Sequence, residues 1–220
     1  MLGAFVKAIG QLGDPAIRRV LWVSLGTSLI LFLLLWTGVG WVLTQTTLFQ
    51  TGWLETATEV LGGLATLVVS WLLFPAVVST TTGFLLDDVA ESVERRHYPG
   101  LPPPRSQPLD EVIVSALKFL AVLLVLNLGV LLFLVVPPLF PFVFYGVNGY
   151  LLGREYFEVV AARRLDASAA RSLRRRNAGT VFVAGLLLAL LLTVPLVNLL
   201  APLVGTAVMV HLFVRMQRAA

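Results

Sequence analysis

Two consecutive arginines, Arg18 and Arg19, are the residues of this sequence best suited to ligand binding. They follow Asp14 and Pro15, a pair typical of a helix start, because aspartate caps free N–H groups and proline is tolerated at the first position. Guanidinium groups match the geometry of an oxyanion, and a helix N-terminus attracts negative charge. The pair therefore indicates an oxyanion site. The same arginines would also anchor the apolar segment behind them, and Asp14 competes for the same N–H groups.

Four further arginines form a basic cluster in the second half of the chain, at Arg171, Arg174, Arg175 and Arg176. Such a cluster fixes membrane topology or binds anionic lipid headgroups. It would also raise the local anion concentration at the mouth of a permeation path. The sequence leaves these roles open.

The sequence contains no arrangement of residues typical of an enzyme. It has no cysteine, and neither His97 nor His211 has a second metal ligand at helical spacing. The phosphate-binding loop motif and the Gly-x-Ser-x-Gly nucleophile motif are both absent. We therefore predict no catalytic residue, no metal site and no cofactor. The net charge of +4 is assigned to membrane topology rather than to nucleic-acid binding.

The composition is that of an integral membrane protein. Hydrophobic residues make up 58% of the 220 residues and charged residues only 13%, against roughly a quarter in soluble domains. Several charge-free runs exceed the roughly 20 apolar residues that a spanning helix needs. We predict a single all-α membrane domain over 1–220. It begins with an interfacial amphipathic helix at 1–13, a transmembrane helix at 15–43 and a long transmembrane helix with a cytoplasmic extension at 60–97.

The second half of the chain is predicted to form two proline-hinged helical hairpins, at 112–153 and 177–215, joined by a cytoplasmic basic segment at 154–176. In the last hairpin the apolar arms 180–194 and 203–214 reach only about 22 and 18 Å, against a bilayer core of about 30 Å. Partial penetration of the membrane explains such short arms. Two full crossings per hairpin are the alternative, because they leave every basic segment on the same side.

The distribution of charge predicts the orientation in the membrane. All 16 Lys and Arg residues lie before residue 20, in 87–118, in 154–176 or after residue 214, and none lies in 44–59. Basic segments favour the cytoplasmic side. Both termini are therefore predicted to be cytoplasmic, with 44–59 outside the cell.

Polar residues inside apolar segments are the remaining candidates. Asn127 and Asn148 are expected to hydrogen-bond to neighbouring helices, as polar side chains in membranes commonly do. Asn198 differs because it lies between Pro195 and Pro202, at the tip of the last hairpin. Irregular backbone at membrane depth must line a cavity or be packed in protein. Pro195, Asn198 and Pro202 are therefore candidate pore residues.

Four stretches of the sequence resemble the CysZ sulfate permeases, which belong to a wider family of etoposide-induced-protein-like membrane proteins. They are DPAIRR at 14–19, TGFLLDD at 82–88, GREYFE at 153–158 and, most specifically, VPLVNLLAPLVGTAVM at 194–209. The resemblance extends over most of the chain. It implies two long spanning helices, two partly penetrating hairpins, and assembly into dimers or larger homo-oligomers in the bacterial inner membrane.

The resemblance also implies a function, the uptake of sulfate for cysteine biosynthesis. In the family, an Ile-Arg-Arg segment at the start of the first long helix is associated with sulfate binding, and it corresponds here to Arg18 and Arg19. This chain has Ala16 where the family tends to have glycine, and a glycine would let the backbone approach an anion more closely. A non-transporting membrane scaffold or assembly protein is the alternative function.

Cysteine accessibility tests the predicted hairpin at 177–215, because the chain has no native cysteine. The tip of a partly penetrating hairpin stops inside the membrane. Single cysteines introduced across 190–205 should therefore not be labelled by a membrane-impermeant thiol reagent from the outside of the cell alone. Single cysteines in 44–59 serve as the control and should react from outside. Labelling of the tip from outside only would contradict the prediction.

Overall fold

The structure, a computed structural model, describes residues 2–45, 60–68, 70, 77–78, 81, 85–194 and 197–219. In these residues every regular element is helical, which confirms the all-α prediction. The helices are α1 (Leu2–Gly10), α2 (Pro15–Gln45), α3 (Leu86–His97), α4 (Leu109–Leu132), α5 (Phe140–Ala162), α6 (Ala167–Arg176), α7 (Ala178–Leu192) and α8 (Ala201–Arg218). Short 3₁₀ segments at Phe133–Val135 and Val197–Leu200 follow α4 and precede α8.

Among the described residues, three helical segments are long and apolar enough to cross a membrane: Pro15–Val42, Leu109–Val135 and Val197–Arg218. The helices α6 and α7 meet the same criterion as a pair bent by 87°. The chain is thus a multi-pass membrane protein. The long helix predicted at 60–97 lies partly outside the described residues, which are helical at 60–68 and in α3. The depth of the two hairpins stays a prediction.

Contacts between residues divide the chain into two compact units, one formed by Met1–Arg18 with Leu86–Ala220 and the other by Arg19–Leu85. In the second unit, α2 exposes large apolar side chains along its length, among them Leu29, Ile30 and Leu34. The indole N–H of Trp36 donates a hydrogen bond to the Ser70 hydroxyl at 3.0 Å. An apolar surface of this kind suits contact with lipid.

The core helix of the first unit is α8. Every residue from Ala201 to Val214 is buried, because α1, α3, α5 and α7 all pack against this helix. Helix α4 is the opposite case. Only 6% of its most apolar 18-residue stretch is buried, against 78% of the corresponding stretch that ends in α8. The unit therefore encloses α8 within its own chain and presents the apolar surface of α4 to its surroundings.

The most extensive helix contact of the first unit joins α5 to α7 through three glycines. A Cβ atom at Gly185 would overlap with the carbonyl oxygen of Gly149 and lie 2.7 Å from the Cα atom of Gly153. The two helix backbones are therefore in direct contact at this point. Small residues four positions apart, such as Gly149 and Gly153, permit this approach between helices in membranes.

A buried ionic network joins α3 to the residues that follow α5. Glu94 is 5% exposed and accepts hydrogen bonds from Arg163 at 3.3 Å and from Arg164 at 2.6 Å. Arg163 also donates to Asp87 at 2.9 Å, and Arg164 donates to the carbonyl oxygen of Pro102. Two guanidinium groups share one buried carboxylate, so the end of α5 and the loop at Pro102 are both fixed to α3.

Replacement of Gly185 by alanine should lower the free energy of unfolding by about 1–3 kcal/mol, because the added methyl group forces the backbones of α5 and α7 apart. Gly179 is the matched control, since it lies in the same helix and has open space around its Cα atom. Thermal unfolding in detergent measures both variants. Equal stability of Gly185→Ala and Gly179→Ala would contradict the close backbone contact.

The Glu94→Gln variant should be less stable by about 3 kcal/mol, because it leaves two buried guanidinium groups without their shared carboxylate. Glu91→Gln is the control on the same helix, where the carboxylate is 49% exposed and pairs with the exposed Arg95. Exposed pairs contribute about 1 kcal/mol or less. A denaturant titration that finds similar losses in both variants would refute the role of the buried network.

Candidate functional site

The predicted oxyanion site lies where α2 begins, next to a carboxylate with two partners. Asp14 accepts the backbone N–H of Ala16 at 3.2 Å, which confirms its predicted capping role. Its other oxygen accepts a hydrogen bond from Arg96 of α3 at 2.9 Å. This hydrogen bond is the main cause of the lowered pKa of Asp14, so the carboxyl group is ionised at neutral pH. Arg96 in turn neutralises that charge.

Both arginines of the predicted site are exposed at the start of α2. Within the part of the chain that the structure describes, neither the Arg18 nor the Arg19 side chain forms a hydrogen bond or an ion pair. Consecutive residues of a helix point about 100° apart, so the two guanidinium groups present positive charge over a broad sector. Unpaired charge at this position suits an incoming oxyanion, and it equally suits the phosphates of lipid headgroups.

The predicted pore residues lie at the start of the last helix. Asn198 is half-buried in the 3₁₀ segment, and its backbone N–H donates to the carbonyl oxygen of Val194 at 3.0 Å. Pro202 is buried in the first turn of α8, where its missing N–H costs no helical hydrogen bond. Pro195 lies outside the described residues.

The expectation that Asn127 and Asn148 hydrogen-bond to neighbouring helices is wrong. Asn127 donates to the carbonyl oxygen of Leu123 at 2.9 Å, and Asn148 donates to that of Phe144 at 2.8 Å. Each amide therefore uses an acceptor one turn back on its own helix. A side chain this short reaches that carbonyl oxygen without any tertiary contact, which makes it the nearest available partner.

A cluster of three rings joins the end of α3 to the buried helix α8, and the sequence did not predict it. The rings of His97 and His211 have centroids 5.0 Å apart, and the Tyr98 hydroxyl lies 2.8 Å from Nδ1 of His211. Burial, followed by the charges of Arg96 and Lys7, lowers the pKa of His97. The lowered pKa disfavours the charged form of this histidine, and the contacts of the cluster link α3 to α8.

Metal binding finds no support in the described residues, where no group of three or more His, Asp or Glu side chains is placed to hold an ion. The two histidines of the ring cluster have no carboxylate as a third ligand there.

Comparison with known proteins places the chain in a family. No curated protein matches it. A family described as "Sulfate transporter CysZ/Etoposide-induced protein 2.4" matches over residues 4–202, from α1 to the first turn of α8. The match includes both arginines of α2 and the described part of the hairpin tip. The match covers most of the chain and agrees with its all-α, multi-pass architecture, so this protein belongs to the CysZ/etoposide-induced protein family of membrane proteins.

Proposed function

We propose that this protein is a permease or channel for sulfate, which it takes up across the bacterial inner membrane for cysteine biosynthesis. Membership of a sulfate-transporter family supports the substrate class. The observation that carries the proposal is the exposed, unpaired state of Arg18 and Arg19 at the start of a helix long enough to span the membrane. Such groups are free to bind a doubly charged oxyanion.

The surroundings of the two arginines favour an anion even though Asp14 is ionised. Arg96 pairs with Asp14 at 2.9 Å and offsets its negative charge. The remaining charge at this helix start is therefore positive, and the helix dipole adds to it. In this proposal, sulfate binds at Arg18 and Arg19, near one mouth of the permeation path.

The second element of the proposed path is the tip of the last hairpin. Asn198 is half-buried in the 3₁₀ segment before α8, and it brings a polar amide to this tip. In the proposal this tip forms the wall and gate of the path, and sulfate passes between hairpins or between the subunits of a homo-oligomer with cytoplasmic termini. The sequence has no nucleotide-binding motif, so the proposal includes no direct drive by ATP.

Uptake of radiolabelled sulfate in a bacterial strain that lacks its own sulfate transporters tests this function. The protein should give saturable uptake well above the empty-vector background. Correct insertion is checked in parallel by membrane fractionation and reporter fusions. A correctly inserted protein without uptake would refute the permease and favour the alternative, a membrane scaffold or assembly protein whose arginines only anchor the first helix.

The double variant Arg18→Ala with Arg19→Ala should weaken saturable sulfate binding by roughly tenfold or more and leave the oligomer intact, because it removes two charge-assisted hydrogen bonds to the anion. The control is Arg175→Ala with Arg176→Ala, which removes the same charge from two exposed positions of α6. Equilibrium binding to purified protein and size-exclusion chromatography give the two readouts. Equal losses of sulfate binding in both double variants would show that overall positive charge is responsible, rather than Arg18 and Arg19.

A further inference from the structure

A cavity of about 360 Å³ lies between α4, α5 and α6, and its lining includes Arg171 and Arg174 of the basic cluster. Its charged lining consists of four basic and three acidic side chains: Lys118, Arg154, Arg171, Arg174, Glu111, Glu155 and Glu158. The rest of its wall is mostly apolar. A cavity with this lining is suited to a ligand that carries both an anionic group and an apolar part.

Two of the acidic side chains already have cationic partners. Glu158 accepts a hydrogen bond from Arg154 at 2.8 Å and lies 3.7 Å from Arg174. Glu111 pairs with Arg105, which is not part of the lining, and accepts the backbone N–H of Ala167 at 3.1 Å. These two carboxylates are therefore committed to protein contacts.

Positive charge in the cavity remains without a partner. Within the described residues, Lys118 and Arg171 form no ion pair. The buried Nε of Arg174 lies 3.7 Å from the Glu158 carboxylate, too far for a hydrogen bond, and has no other acceptor there. Burial raises the pKa of Glu155, which weakens the one remaining carboxylate as a counter-charge. The cavity therefore has unused donors and an excess of positive charge that an anionic group would satisfy.

The cavity lies at the boundary between the charged and apolar parts of α4 and α5. The sequence from 119 to 153 carries no charge, and Lys118 and Arg154 stand directly at its two ends. The Arg154 guanidinium lies 5.7 Å from the ring centroid of Phe119, which places both ends of that run at one level. In a bilayer this boundary coincides with the level of the lipid phosphates.

An exposed apolar surface of α4 continues from Lys118 toward the apolar end of the helix. Val125 and Leu132 follow Lys118 at intervals of seven residues, which places all three on one side of the helix, and they are 68% and 73% exposed. We propose that the cavity binds the phosphate headgroup of an anionic phospholipid, whose acyl chains lie along this surface of α4. Lys118 and Arg171 contact the phosphate, and the Nε of Arg174 is the buried donor behind them. This inference does not depend on sulfate transport.

A free inorganic oxyanion carries negatively charged oxygens like those of a lipid phosphate and is the alternative occupant of the cavity. It would use the basic side chains and leave the apolar wall and the exposed Val125 and Leu132 without a role. A phospholipid uses all three features at the level where its headgroup already lies. The lipid is therefore the occupant that the lining favours.

Lipid titration of the purified protein in detergent, read by native mass spectrometry, tests the proposal. Phosphatidylglycerol should bind roughly tenfold or more tightly than phosphatidylcholine with the same acyl chains, because the second lipid has no net charge. The double variant Lys118→Gln with Arg171→Gln should lose this preference. It leaves the contacts of Glu158 with Arg154 and Arg174 intact, so the fold is retained.

The matched control is Arg175→Gln with Arg176→Gln, which removes the same charge from exposed residues of α6 outside the cavity lining. It should bind phosphatidylglycerol like the parent protein. An equal loss in the control would reduce the site to a diffuse basic surface and overturn the proposal. Equal binding of both lipids to the parent would overturn it as well.

A competition arm separates the lipid from a free anion. Sodium sulfate and sodium chloride at equal ionic strength should displace phosphatidylglycerol to the same extent, because both act only by screening. Specific displacement by sulfate, lost in Lys118→Gln with Arg171→Gln, would make the cavity a site for a soluble oxyanion and overturn the lipid assignment.

Discussion

The direct backbone contact between α5 and α7 is the constraint on which the first unit depends. In a membrane the hydrophobic effect does not hold helices together, so close packing has to do so. Gly149 and Gly153 remove side chains from one helix and Gly185 removes one from the other, which lets the two backbones touch. Helix α8 then packs on both helices, and a Cβ atom at Gly205 would lie only 2.9 Å from the ring of Tyr156. The enclosed position of α8 follows from this crossing.

Polar contacts fix the ends of the helices that the glycines bring together. Glu94 holds Arg163 and Arg164, so the end of α5 is tied to α3. Asp14 and Arg96 tie the start of α2 to the same helix. The charged groups in these contacts are thus paired within the protein. Among the described residues, the arginines without partners are the ones available to an external anion. Unpaired positive charge at a membrane surface attracts anions, and the surroundings decide which anion fits.

Sequence patterns predicted the features that depend on local chemistry. Charge-free runs predicted the membrane class, and Asp14 before a proline predicted the helix cap. Each of these signals lies in residues that are adjacent in the chain. The ring cluster of His97 and His211 was missed because the two positions are far apart in the chain and become neighbours only through packing. The spacing of Gly149 and Gly153 did carry a signal for close helix contact. Glycine in an apolar run also indicates a break in a helix, so this spacing alone does not distinguish a break from a close helix contact.

The two groups of unpaired cations differ in ways that suit two kinds of anion. Arg18 and Arg19 are exposed and follow Asp14 in the sequence by four and five positions. A permeating ion must bind firmly enough to enter and weakly enough to leave. Arg96 offsets the charge of Asp14, and the exposed arginines are screened by water, which suits a site of low affinity for a solute in transit. The cavity beside Lys118 combines unpaired donors with an apolar wall, which favours slow release. On the two proposals, an anion held in the cavity has a structural role, and an anion held at Arg18 and Arg19 is a solute in transit.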